Sequence, residues 1–185
     1  MLDLMQPMGM PLITGLAVPD NFYWVLQHPG PLAGMSYPSP RTPWQDLAAA
    51  GFRHVICLEG DGPAYDPSPL MISHRTCLQD LYGGGLPRDP AQEEKLIAEA
   101  ARAVVRSLQV GDGVVVHCAG GTGRTGTVIG CVLRVFGVSA MEVITYLDHL
   151  HRARGRSGWP ESAWQSQVVQ RFPEPEEGRC TNVPV

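Results

Sequence analysis

The chain has 185 residues, 44% of them hydrophobic and 17% charged, with a formal net charge of −4. This is ordinary globular composition with room for one domain and a sizeable core, and it excludes the membrane-spanning and disordered classes. Glu174, Glu176 and Glu177 carry much of the negative balance, so the rest is near neutral and no nucleic-acid partner is implied.

Residues 1–18 are rich in Met and Pro and lack the basic start of a secretory signal. They are expected to be a loose arm, followed by one domain over 19–172 and an acidic, polar tail over 173–185. Asn21–Leu26 and Pro31–Met35 read as two short strands around the turn His28-Pro29-Gly30. Thr42 as cap and Pro43 as first helical residue open a short helix that ends at Gly51. His54–Leu58 and Met71–Cys77 are the next strands, separated by the turn-rich Glu59–Pro69. Asp89-Pro90 with Gln92 is a helix-start signature, and Leu96, Ile97, Ala100, Val104, Val105 and Leu108 continue it as an apolar stripe. Val114–Val116 is a buried strand, and Thr125–Phe136 a helix. Ser139 with Glu142 forms a capping box for a helix that turns Val143, Ile144, Leu147 and Leu150 inward, and Pro160–Phe172 is the last helix. This order predicts an α/β fold, a single domain with a central mixed, mostly parallel sheet flanked by helices.

The stretch Val114–Gly126 carries the chemistry. Its glycines allow a sharp turn with the amides of Ala119, Gly120, Gly121, Thr122, Gly123 and Arg124 pointing inward, and the helix behind adds the positive end of its dipole. Such a nest binds an anion, and the planar guanidinium of Arg124 suits phosphate oxygens. Cys118 then lies where the central atom of the anion would sit. The same donors hold its sulfur as thiolate, the nucleophilic form. Gly121 to Gly126 also satisfies G-x-G-x-x-G, but a dinucleotide fold wants that pattern at the first strand-helix unit with an acidic residue ending the next strand, and only helical pattern follows here. A Walker A loop needs Gly-Lys where this chain has Gly-Arg. A buried, inert cysteine is the remaining alternative, and the density of glycines argues against it.

His117-Cys118, five intervening residues and Arg124-Thr125-Gly126 resemble the signature of the cysteine-dependent protein tyrosine and dual-specificity phosphatases. The likeness extends from Asp20 to Phe172 and is greatest to the small atypical dual-specificity phosphatases, through Asn21-Phe22, Trp24-Val25-Leu26, Leu32-Ala33-Gly34, Arg53-His54 and His74-Arg75. The resemblance implies a metal-independent phosphoprotein phosphatase, working through a phosphocysteine with the phosphatase P-loop between strand and helix. It needs no cofactor.

A leaving oxygen must be protonated, and Asp80 and Asp89 are the candidates between the fourth strand and Cys118. Asp89 has a structural task as helix cap. Asp80 has none and precedes the hinge-like Tyr82-Gly83-Gly84-Gly85, and by resemblance it falls where the family's general acid does, although Gln79 replaces a frequent proline. The resemblance also assigns the Thr125 hydroxyl to the sulfur in the second step, and a water-positioning role to Gln165, with Gln167 as runner-up. His117 should point away from Cys118 and prop the loop. Cys57 and Cys131 are expected to pack in the core. His151 to Arg156 reads as a solvated basic helix end, or else as a rim that attracts phosphorylated substrates. By the resemblance, small cradle residues without added basic ones imply a phosphorylated protein or peptide over a polyanion such as a phosphoinositide or an RNA 5′-phosphate, and a chain without the segments that deepen larger tyrosine phosphatases implies a shallow site taking phosphotyrosine and also phosphoserine or phosphothreonine. Inorganic phosphate or a similar oxyanion should occupy the cradle; a non-catalytic phosphate-binding module using the same cradle is the alternative, and the intact Cys118, Arg124 and Asp80 argue against it. Five irregularly spaced cysteines indicate a reducing compartment. A cytoplasmic monomer without membrane, metal or nucleic-acid partners is therefore expected.

Overall fold

In the computed structural model, which describes residues 4, 12–16, 21–60 and 64–173, the apolar run before Cys118 lies in the middle of the sheet. The elements in chain order are β1 (Phe22–Leu26), β2 (Leu32–Met35), α1 (Trp44–Ala49), β3 (Phe52–Cys57), β4 (Met71–Arg75), α2 (Pro90–Gln109), β5 (Gly113–His117), α3 (Gly123–Val135), α4 (Ala140–Ala153) and α5 (Ala163–Arg171). The five strands run in the order β1-β2-β5-β3-β4. Only the β1–β2 hairpin is antiparallel, so the sheet is mixed and mostly parallel.

Every residue of β5 is buried, because neighbouring strands pair with it on both edges and both its faces are covered. Strand alternation sorts the core into two layers. Tyr23, Val25, Leu32, Ile56, Val114 and Val116 meet α2 to α5 on one face, while Phe22, Trp24, Ala33, Met35, Val55 and Val115 meet α1 on the other. Helix α3 is buried along nearly its whole length, packed by α2, α4 and α5. That burial aims its first turn at the C-terminal end of β5.

Two of the expected helix starts hold in detail. Asp89 accepts a hydrogen bond from the Gln92 amide at 3.1 Å, and Ser139 and Glu142 make the capping box. Thr42 does not cap α1. Its hydroxyl accepts from the Ser39 amide at 3.0 Å, closing the preceding turn, and Pro43 stands at the cap position without a side-chain bond. Helix α5 begins at Ala163 rather than Pro160, since residues 159–162 form a turn against the site. Part of the expected loose arm is packed: Ile13 is buried in the α1 layer. The tail from residue 174 lies outside the described residues.

The basic run at the end of α4 is not a simple solvated helix end. His151 and Arg154 are buried, with the Arg154 guanidinium 4.1 Å from the Tyr23 ring centre. Arg154 donates to His151 Nδ1 at 2.7 Å, which requires that nitrogen to be unprotonated. Burial, then Arg154 and Arg156, push His151 down to about 3, and burial pushes His117 down to about 4. Both histidines are neutral in the fold and take up protons when it unfolds below about pH 6.5. Stability should therefore be complete above that pH and fall as pH is lowered towards 4, by about 1.4 kcal/mol per unit for each histidine fully protonated only in the unfolded chain. Urea midpoints measured from pH 7.5 to 4.5 should show this decline, with a shallower slope in His151→Gln.

Candidate active site

The segment joining β5 to α3 crosses the C-terminal edge of the parallel strands, where open α/β sheets place their ligands. Gly121 takes φ +70°, and a Cβ there would lie 2.5 Å from the Met35 carbonyl, so only glycine fits. Its amide donates to Cys118 Sγ at 3.2 Å. The outward-facing carbonyls of the loop are held from elsewhere. Gly121 O accepts from the Tyr23 hydroxyl at 2.9 Å and from Arg154 at 3.5 Å, while Gly123 O accepts from Thr127 Oγ1 at 2.8 Å and Trp159 Nε1 at 3.2 Å. Ala119 O accepts from the Tyr37 amide at 2.9 Å.

Arg124, in the first turn of α3, is buried and held by two carboxylates. Its Nη1 is 2.9 Å from Glu59 Oε1, and its Nη2 is 2.9 Å from Asp80 Oδ2. The other Asp80 oxygen accepts from the Tyr82 amide at 2.9 Å. Asp80, Tyr82, Cys118, Gly120, Thr122, Gly123, Arg124, Arg156 and Glu161 all line one pocket of about 290 Å³. The fold thus brings Cys118, Arg124 and Asp80 together and leaves Asp89 to its helix.

His117 faces away from the pocket, as strand alternation requires. Its Nε2 lies 2.5 Å from the Tyr65 hydroxyl, inside an aromatic group with Tyr37. The Thr125 hydroxyl is fully buried and has no hydrogen-bond partner among the described residues. Gln165 is buried beside the cradle. Its Oε1 accepts from the amides of Glu161 and Ser162, and only its nitrogen is turned to Gly123. Gln167 is exposed. Cys57 and Cys131 are buried thiols, both pushed upward by burial.

Several contributors escape a reading of the sequence, among them Tyr23, Glu59, Tyr65, Arg154, Trp159 and Glu161. The Glu161 carboxylate rests against Gly123, so closely that a Cβ there would overlap it. Burial, and after it the charge of Asp80, raise the Glu161 carboxyl above its usual range, opposed by Arg124 and the Gly123 amide. No spacing rule ties this glutamate to the cysteine, because the turn that presents it comes from beyond α4.

A family model described as the Swiss Army Knife protein DSP-PTPase phosphatase domain matches residues 19–161. The chain belongs to this family. Several solved structures share its fold. Tk-PTP in its active form is 23% identical, with a TM-score of 0.57 over 76% of this chain and 90% of that one. PTPMT1 in complex with PI(5)P is 15% identical, with a TM-score of 0.58 over 76% and 88%. The core catalytic domain of the PP-IP phosphatase SIW14 from S. cerevisiae, in complex with citrate, is 16% identical, with a TM-score of 0.52 over 77% and 80%.

An incoming oxyanion must share Arg124 with Asp80, whose side chain is 54% exposed and therefore solvent-screened. Asp80→Asn should tighten inorganic phosphate binding about threefold, the scale of one exposed ion pair. Arg124→Lys should weaken it roughly 10- to 100-fold, since the planar double donor is lost. Isothermal titration with phosphate checks both.

Proposed function

We propose that this DSP-PTPase domain hydrolyses phosphorylated protein, with phosphotyrosine as the main substrate, through a phosphocysteine intermediate. The observation that carries the reading is the convergence of Cys118, Arg124 and Asp80 on one pocket, Arg124 joined to Asp80 at 2.9 Å. Phosphoryl oxygens take the place of the Asp80 carboxylate on Arg124 and accept from the amides of Ala119 to Arg124. The Cys118 thiolate attacks phosphorus, and the S–P bond forms as the bond to the leaving oxygen breaks. Asp80, carrying a proton in the substrate complex, gives it to that oxygen. In the second step Asp80 takes a proton from a water held by the Gln165 nitrogen. The water oxygen bonds to phosphorus and the S–P bond breaks. The Thr125 hydroxyl, buried without a partner among the described residues, turns to the sulfur and stabilises the departing thiolate. Fixed donors meeting the charge of the pentavalent transition state supply most of the acceleration.

Pocket size and charge favour this substrate class. A cavity of roughly 150 Å³ is enough for benzene, so about 290 Å³ holds a phosphoryl group and a phenyl ring. The lining cations Arg124 and Arg156 are matched by the carboxylates of Asp80 and Glu161, which disfavours a polyanion. The relatives solved with PI(5)P or described as a PP-IP phosphatase supply the second reading, a non-protein phosphate. A panel of phosphopeptides, phosphoinositides and inositol phosphates separates the two, and higher kcat/KM on the inositol compounds would reject the protein reading.

Cys118→Ser should abolish turnover and keep phosphate binding. Measurable turnover in that variant would reject the covalent scheme. Asp80→Ala should remove the basic limb of the kcat/KM profile with poor leaving groups, lowering kcat/KM about 100-fold, and should spare kcat/KM on 4-nitrophenyl phosphate at low pH, where the leaving group needs little help.

A further inference from the structure

The segment after Asp80 is pinned at both ends and protrudes between them. Leu81 and Pro87 are buried, and the Arg88 amide donates to Gln79 Oε1 at 2.9 Å. Gln79's own amide is held by Glu93 Oε1 at 2.7 Å. Between these anchors Gly83, Gly84 and Gly85 all have positive φ with open space around them, and the turn closes through the Gly84 amide on Leu81 O at 2.9 Å. Residues 82–86 stand clear of the core, with Tyr82 81% and Leu86 68% exposed. Tyr82 nonetheless lines the pocket and is the one aromatic residue among its lining residues. A large ring left in water beside a reaction centre is apolar surface that a ligand can cover.

Its place is tied to the chemistry. Asp80 Oδ1 accepts from the Tyr82 amide, while Oδ2 faces Arg124. Leu81, the residue between, is turned into the core. Whatever is attached to the leaving oxygen must pass the group that protonates it, and Tyr82, two residues on, lines the same pocket. Gly155, Arg156, Ser157, Gly158 and Glu161, which also line the pocket, are polar or without side chains, so they offer an apolar leaving group little.

We infer that Tyr82 is a specificity-determining residue that packs against the leaving group and selects aryl over alkyl phosphate esters. The inference rests on the phosphatase reading above and narrows its substrate class. An aromatic pair adds about 0.5–1.5 kcal/mol beyond its area, which amounts to a preference of up to about tenfold.

The test uses the full chain and two peptides that differ only in carrying phosphotyrosine or phosphoserine, together with phenyl phosphate and ethyl phosphate. The quantity read is the aryl-to-alkyl ratio of kcat/KM. Tyr82→Ala should lower that ratio about tenfold and Tyr82→Phe should keep it, because the ring and not the hydroxyl makes the contact. An unchanged ratio in Tyr82→Ala overturns the inference, as does an equal loss of the ratio in Tyr82→Phe. If the protein turns over phenyl phosphate but neither peptide, the protein-substrate reading fails, and Tyr82 is judged on the phenyl-to-ethyl ratio. Absence of turnover on all four esters overturns both.

Discussion

A backbone loop can present a row of amides to an anion only if the carbonyls facing the other way are satisfied, since an unpaired buried carbonyl costs about 1–3 kcal/mol. The rest of the structure depends on meeting this constraint at 118–124. The donors come from across the fold: Tyr23 from β1, Arg154 from the end of α4, Trp159 from the turn before α5, and Thr127 from α3 itself. The sheet order gives Tyr23 access, because β2 separates β1 from β5 and the long tyrosine reaches over Gly34, where any Cβ would strike its ring. Arg154 in turn lies over that ring. One buried group of Tyr23, His151 and Arg154 thus supports the cradle from beneath, and its cationic member makes a neutral His151 the compatible partner.

Arg124 is where structure and chemistry compete. A buried guanidinium needs compensating charge, and Glu59 and Asp80 provide it in the absence of substrate. Of the two, Glu59 is the more enclosed, at 28% side-chain exposure against 54% for Asp80. Glu59 is therefore suited to remain as a permanent counter-charge that orients the guanidinium, and Asp80 to yield its place to a phosphoryl group. The carboxylate best able to leave Arg124 is also the one proposed as the acid.

Features whose signal is local were legible in the sequence. The cradle, the Asp89 cap, the Ser139 capping box and the mixed sheet each declare themselves within a few residues or through strand pattern. Tertiary partners do not. The Tyr23 to Gly121 bond spans 98 residues, and nothing in the composition of β1 marks one buried tyrosine as a loop support. Glu161 was hidden for a related reason: Pro160 read as the first turn of a helix, whereas 159–162 serve the cradle and α5 starts later. Thr42 misled because a hydroxyl before a proline-led helix can equally close the turn behind it. The basic run ending α4 looked uniform, yet burial separates Arg154 and His151, Arg152 paired with Asp148 at 2.8 Å, and Arg156 on the pocket wall.

The glycine run after Asp80 reads as a hinge when only composition is considered, since glycine permits large backbone excursions. The contacts around it point to a different use. Gln79 is clasped on both sides, by Glu93 and by the Arg88 amide, and Leu81 and Pro87 are buried. With its ends tied down, the segment has little freedom to swing as a lid, and Asp80 faces Arg124. Gly83 supplies the positive φ of the Leu81–Gly84 turn, and Gly84 and Gly85 carry the chain on at positive φ that glycine adopts without strain. Their service is to let the acid loop turn back on itself immediately after the acid, so that the next exposed side chain stands at the pocket mouth. Loop length here extends the wall of the site, and Asp80 is tied to it through the Tyr82 amide.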